Sequence, residues 1–222
     1  MLTMSTPPFA PIAWDLIPGR TVLIVVDAQN DFLHPDGWYA LRGVDIDHMR
    51  RCIEPIKELA AACRERDVPI IWTRHGFRDP ADGGWLVAMR PFLRDGGLRE
   101  GTWGYEILEE LGARDDDRFV AKNRLSAFFQ SNLELQLRGL EAETLVFAGV
   151  LTNQCVAATS KDAMFRDFKP IVVEEATGTT LPHLHAPALE MVQVGWGEVR
   201  SLEVTLSALR ALPAAPVAAA PA

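Results

Sequence analysis

TVLIVV, Thr21 to Val26, is a run of aliphatic and β-branched residues with no charged interruption. An alternating pattern would mark a strand with one wet face. A continuous run marks a strand buried on both faces, as in a parallel sheet covered by helices. Working outward, residues 47–66 carry Ile53, Ile56, Ala60 and Cys63 at spacings of three or four, one apolar helical face. Pro55 lies inside that stretch, and an interior proline costs about 3 kcal/mol, so a kink or a start near Ile53 is expected. Further strands are predicted at 69–73, 118–121, 144–149, 170–173 and 198–200. Helices are predicted at 133–138, 153–167, 183–194 and 203–212. Strands alternating with helices predict an α/β fold in three layers: a mostly parallel six-stranded sheet, helices on both faces, right-handed crossovers. Residues 75–104 are rich in Gly, Arg, Asp and Trp with little periodicity, and read as a surface excursion.

The chain of 222 residues is 48% hydrophobic, enough for one well-cored domain, expected over residues 1–212. The tail 213–222 (PAAPVAAAPA) is low-complexity and expected to be disordered. A net charge of −8 argues against partners held through a phosphate backbone or an anionic lipid surface, so neither nucleic acid nor membrane is expected. The three cysteines, Cys52, Cys63 and Cys155, form no CxxC pair, which fits reduced thiols in the cytoplasm. The first residues lack a basic and apolar leader pattern, and no run reaches the roughly 20 apolar residues of a membrane span.

In an open parallel sheet, ligands bind beyond the carboxyl ends of the strands. Asp27 ends the first strand, Lys122 the third, and Cys155 follows the fourth. Cys155 is expected in the first turn of a helix, where free N–H groups and the macrodipole favour an anion by about 0.3–1 kcal/mol. With Lys122 as a nearby cation, a lowered thiol pKa is expected. Asp27 would take the thiol proton and return it to a leaving amine. The N–H groups of Leu151 and Cys155 would hold the oxyanion.

At these residues the sequence resembles the isochorismatase-like cysteine hydrolases, a superfamily that includes nicotinamidases, N-carbamoylsarcosine amidohydrolases, biuret hydrolases and ureidoacrylate amidohydrolases. VVDAQNDF (25–32) is similar to the segment carrying the catalytic Asp, VAKNRLSAFFQSNLELQLR (120–138) to that carrying the Lys, and GVLTNQCVAATSKDA (149–163) to that carrying the nucleophilic Cys. The resemblance implies Asp27, Lys122 and Cys155 as a catalytic triad, a non-proline cis peptide at Val150–Leu151, and acyl transfer to sulfur followed by hydrolysis. It implies a small linear amide or ureido substrate and a homo-oligomer, dimer or tetramer. His75 stands without the second nearby His or the Asp of the metal-binding members, so no metal and no cofactor are expected. TRHGFRDPAD (73–82) is similar to a segment of the biuret and ureido-amide hydrolases, which makes Arg74 and Arg78 candidates for a carboxylate or carbonyl-rich ligand. Gln29, Phe32, Trp85 and Phe128 are further substrate-binding candidates, with Trp38 and Trp103 as possible pocket walls. Two other readings stay open: a C–O hydrolase of the isochorismatase type, and a non-catalytic small-molecule or redox-sensing protein.

Overall fold

A computed structural model describes residues 12–213. The expectations for the leader and for most of the tail fall outside that range. The chain runs β1 (Thr21–Val26), α1 (Asn30–Leu33), α2 (Trp38–Leu41), α3 (Asp47–Arg50), α4 (Ile53–Arg64), β2 (Ile70–His75), α5 (Gly84–Met89), β3 (Arg118–Lys122), α6 (Leu133–Gly139), β4 (Thr144–Val150), α7 (Ala157–Met164), β5 (Lys169–Gly178), α8 (His185–Gly195), β6 (Glu198–Arg200) and α9 (Leu202–Ala211). The six strands form one sheet in the order β3-β2-β1-β4-β5-β6, every pairing parallel.

The continuous apolar run of β1 is explained by two cores. Leu23 and Val25 pack on one face with Ile56, Leu59 and Cys63 of α4 and Leu206 and Leu209 of α9. Val22, Ile24 and Val26 pack on the other with Leu133 and Leu137 of α6, Ala163 of α7 and Leu189 and Val192 of α8. Both faces of one strand are therefore buried, which is what three layers require. Pro55 is the third residue of α4, in the first turn, where its missing N–H has no intrahelical partner to lose. The helix is uninterrupted because it starts at Ile53.

The chain runs outward from β1 through β2 to β3, then returns to lay β4 on the other side of β1 and continues to β5 and β6. The direction of winding thus reverses between β1 and β4, and a crevice opens at their carboxyl ends. Gly149 makes the close approach there possible. Its φ is +105°, and a Cβ at that position would lie 2.1 Å from the Val26 carbonyl oxygen. β5 is longer than expected, with a register shift opposite Phe147 and Gly149. The stretch 75–104 is not the surface excursion expected. It holds α5 and a 3-10 turn at Pro91–Leu93, and it buries Phe77, Leu93 and Leu98 in the first core. Asp31 anchors it: its carboxylate accepts from the Trp38 and Leu98 N–H groups, and Asn30 Nδ2 donates to the Trp103 carbonyl.

Candidate active site

The carboxyl ends of four adjacent strands deliver four side chains to one place. Asp27 leaves β1, His75 ends β2, Lys122 ends β3 and Cys155 follows β4. All four are buried. Lys122 and Asp27 stand on strands separated by β2, roughly 10 Å at about 4.8 Å per strand. A lysine spans that gap, reaching over β2 to bring Nζ within 2.7 Å of Asp27 Oδ2. His75 pairs in register with Lys122 and so lies beneath that bridge.

Hydrogen bonding around the ion pair is specific. The ammonium has three N–H donors. Its three hydrogen-bond partners are His75 Nδ1 (3.2 Å), the Arg124 carbonyl (2.9 Å) and the Leu125 carbonyl (3.2 Å). Asp27 Oδ1 accepts from the Thr73 hydroxyl at 2.6 Å, while Oδ2 has no hydrogen bond among the described residues. Lys122 therefore neutralises Asp27 through close contact with Oδ2, while Thr73 holds Oδ1. The Cys155 Sγ, the His75 ring nitrogen and the Asp27 oxygen lie within 4.8 Å of one another, with Sγ 3.8 Å from His75 Nδ1. Asp27 itself has φ +50°, a left-handed conformation that Asp tolerates better than most residues.

Such an Asp–His–Cys set has the donor types of a metal site. Here the Lys122 ammonium supplies positive charge beside both Asp27 and His75.

The thiol differs from the expectation. Burial pushes the Cys155 pKa up to about 12; Lys122 pulls it down and Asp27 pushes it up. Burial is the largest cause, and the nearby charges do not offset it. Lys122 and Asp27 already neutralise each other, so a thiolate would leave a net negative charge in a dry site. The helix does not start as a regular first turn either: Thr152–Val156 forms a π-helical turn ahead of α7. Burial disfavours the Lys122 ammonium, but the charges of Asp27 and Cys155 more than offset it and hold its pKa above the ordinary value. Burial, with the cations Lys122, Arg90 and Arg124, holds His75 well below the ordinary imidazole range. His75 is thus neutral, and because an ammonium only donates, Nδ1 accepts and the ring proton falls on Nε2, which has no partner among the described residues.

Val150–Leu151 is a cis peptide, as the resemblance implied. Leu151 and Cys155 both line the pocket above the sulfur, with Phe32, Tyr39, His75, Leu86, Arg90, Leu93, Leu98, Leu125 and Gln154. That pocket is closed over, with room of about 10 Å³, roughly one water. A larger cavity of about 700 Å³ lies among Asn30, His34, Arg50, Trp103 and Glu110 and does not reach Cys155.

Of the other substrate-binding candidates, Phe32 lines the Cys155 pocket and the rest are placed elsewhere. Gln29 is buried with its amide committed: Nε2 donates to the His75 and Tyr105 carbonyls and Oε1 accepts from the His75 N–H. It fixes the end of β2 rather than facing the pocket. Arg74 pairs with Glu106 at 2.6 Å and lies over the Tyr105 and Phe119 rings. Arg78 is exposed and pairs with Asp82 four residues on. Trp85 is 85% exposed. Phe128 stacks on Phe168 in the second core. Trp38 packs against Gly96 and Gly97, and Trp103 is half exposed beside His34. His185 is hydrogen-bonded to Thr152. Sequence reasoning missed His75, Tyr39, Arg90 and Gln154. For His75 a signal existed, since it extends β2 by two residues to the same edge as Asp27.

The chain is similar along most of its length to known proteins. The isochorismatase domain family matches residues 21–204. The chain is 33% identical to the ureidoacrylate amidohydrolase RutB of Klebsiella pneumoniae subsp. pneumoniae, over 98% of each chain. It is 34% identical to that of Methylobacterium radiotolerans, over 94% of this chain and 86% of the relative. Among solved structures, a cysteine hydrolase from Pseudomonas syringae pv. phaseolicola superposes with a TM-score of 0.85 at 26% identity, covering 95% of this chain and all of the other. An N-carbamoylsarcosine amidase from Thermoplasma acidophilum shares the fold, with a TM-score of 0.68 at 22% identity, over 83% of this chain and 97% of the other. Matched along nearly its whole length, the chain belongs to the isochorismatase family of hydrolases.

Proposed function

We propose that this amidohydrolase cleaves the C–N bond of a small ureido acid through Cys155, with Asp27 as general base and acid and Lys122 as the fixed countercharge. The observation that carries the reading is a lysine-neutralised carboxylate within 4.8 Å of a buried thiol at the carboxyl edge of the sheet. The near-full-length likeness to enzymes named for ureidoacrylate supports the substrate class.

The chemistry follows from the charges. A thiol with a pKa pushed up to about 12 is not a standing thiolate at neutral pH. Its proton passes to Asp27 as sulfur attacks the ureido carbonyl, so no isolated anion builds up. The developing oxyanion is held by the N–H groups of Leu151 and Cys155. Asp27 then protonates the leaving nitrogen, the C–N bond breaks, and a carbamoyl group remains on sulfur. Asp27 next activates a water, which releases carbamate and restores the thiol. Carbamate decomposes to ammonia and carbon dioxide. A substrate needs more than one water's room, so the pocket widens on binding.

Three free cysteines are consistent with a reducing cytoplasm. The exposed apolar side chains of Trp85 and Met89 on α5 support a homo-oligomer. No helix among the described residues is long and apolar enough to cross a membrane.

The test is ammonia release over a panel: 3-ureidoacrylate, 3-ureidopropionate, N-carbamoylsarcosine, biuret and nicotinamide. The ureido acids are expected to lead nicotinamide by roughly 100-fold or more in kcat/KM. A preference for nicotinamide, or cleavage of isochorismate with no ammonia from any ureide, overturns the reading.

A further inference from the structure

Arg90 follows α5 directly and is the one arginine among the residues lining the Cys155 pocket. Its Nη2 donates to Gln154 Oε1 at 2.6 Å. Its Nη1 is buried and has no hydrogen-bond partner among the described residues. No carboxylate among the described residues forms a salt bridge with it, whereas Arg74, Arg78 and Arg200 are each paired with an acid. Apart from Arg90, His75, Gln154, Tyr39 and Cys155, the lining is apolar. An always-charged fork with an unused N–H, in a mostly apolar pocket, is the arrangement that an incoming carboxylate completes.

Gln154 immediately precedes Cys155, so the bond from Arg90 to Gln154 ties the covering segment to the turn that carries the nucleophile. The positive charge of Arg90 also reaches the catalytic cluster, as its effect on His75 shows. The pair Lys122–Asp27 is internally neutral, which leaves Arg90 uncompensated on the pocket wall.

We propose that Arg90, steadied by Gln154, binds the carboxylate of an anionic ureido substrate and sets the distance at which the ureido carbonyl meets Cys155. The proposal rests on the ureido-acid reading above and adds its selectivity: acids are preferred over neutral ureides of the same length. On binding, the carboxylate takes up the free Nη1 hydrogen, and the covering segment closes over the substrate.

The test compares 3-ureidopropionate with its neutral amide, 3-ureidopropionamide, in the wild type, Arg90→Gln and Arg90→Lys, with thermal melts to establish folding. For Arg90→Gln, kcat/KM on the acid is expected to fall roughly 100-fold or more, mainly through KM, while the neutral amide changes by less than about 3-fold. Arg90→Lys keeps the charge without the fork and is expected to fall between. Equal losses on both substrates, or no loss on the acid, overturn the proposal. Calorimetry of 3-ureidopropionate with Cys155→Ala, and with Cys155→Ala carrying Arg90→Gln or Arg90→Lys, separates the two claims. Binding that depends on Arg90 without any turnover by the wild type overturns the ureido-acid reading and supports the anion site. Binding that persists in Arg90→Gln, or no binding to Cys155→Ala, overturns the anion site.

Discussion

Cys155→Ala is expected to eliminate turnover of a ureido acid, lowering kcat by on the order of 10⁴-fold or more, with the fold retained. In the proposed mechanism sulfur accepts the carbamoyl group, so no neighbouring residue substitutes for it. The His75 ring accepts at Nδ1 and is already hydrogen-bonded to Lys122. Asp27 is held by Thr73 and Lys122. Cys52 and Cys63 lie in the core on the α4 side of the sheet, where burial raises both thiols to about 12. The stability change is small because the substitution removes one small buried group beside a pocket that already has room for a water. Ammonia release and a thermal melt on the same preparation check both halves. Retained turnover contradicts the mechanism, and a collapsed melt shifts the test to Cys155→Ser.

Lys122→Met produces the largest expected loss of stability, about 3–5 kcal/mol, because it leaves the Asp27 carboxylate buried without its countercharge. For a domain of this size that corresponds to roughly 6–20 °C in Tm. The loss comes from the unpaired charge more than from the missing contact. The double variant Asp27→Asn with Lys122→Met removes both charges and is expected to recover more than half of it. Activity is not expected to return in the double variant, because the carboxylate proposed to take the proton is gone. Urea titrations of the wild type, both single variants and the double complete the cycle. Additive losses would show that the two groups do not act as a pair.

Much of the sheet was legible because burial on both faces writes itself into sequence as an uninterrupted run. Thr21–Val26 and Thr144–Val150 are buried along their whole length, and both were read as strands. Asp27, Lys122 and Cys155 were legible because each follows a strand, and the ends of parallel strands share one edge. Interactions set by chain geometry were not. The rise in the Cys155 pKa comes first from burial and then from Asp27, against the pull of Lys122, a balance that no local pattern announces. Arg90 lies in a segment without periodicity, and its place over Cys155 depends on Asp31 and Asn30 tying that segment down from another part of the chain. Arg74 and Arg78 looked equally suited to an anion, but each has an acidic partner close by on the surface.

The account stands on sulfur receiving the carbamoyl group. Acid-quenching the wild type during turnover of 3-ureidopropionate and mapping the digested protein by mass spectrometry tests this directly. The account predicts one carbamoyl increment on the peptide containing Cys155 and none on those containing Cys52 or Cys63. Steady ammonia release with an unmodified Cys155 peptide at every quench time, and undiminished release from Cys155→Ala, would contradict it.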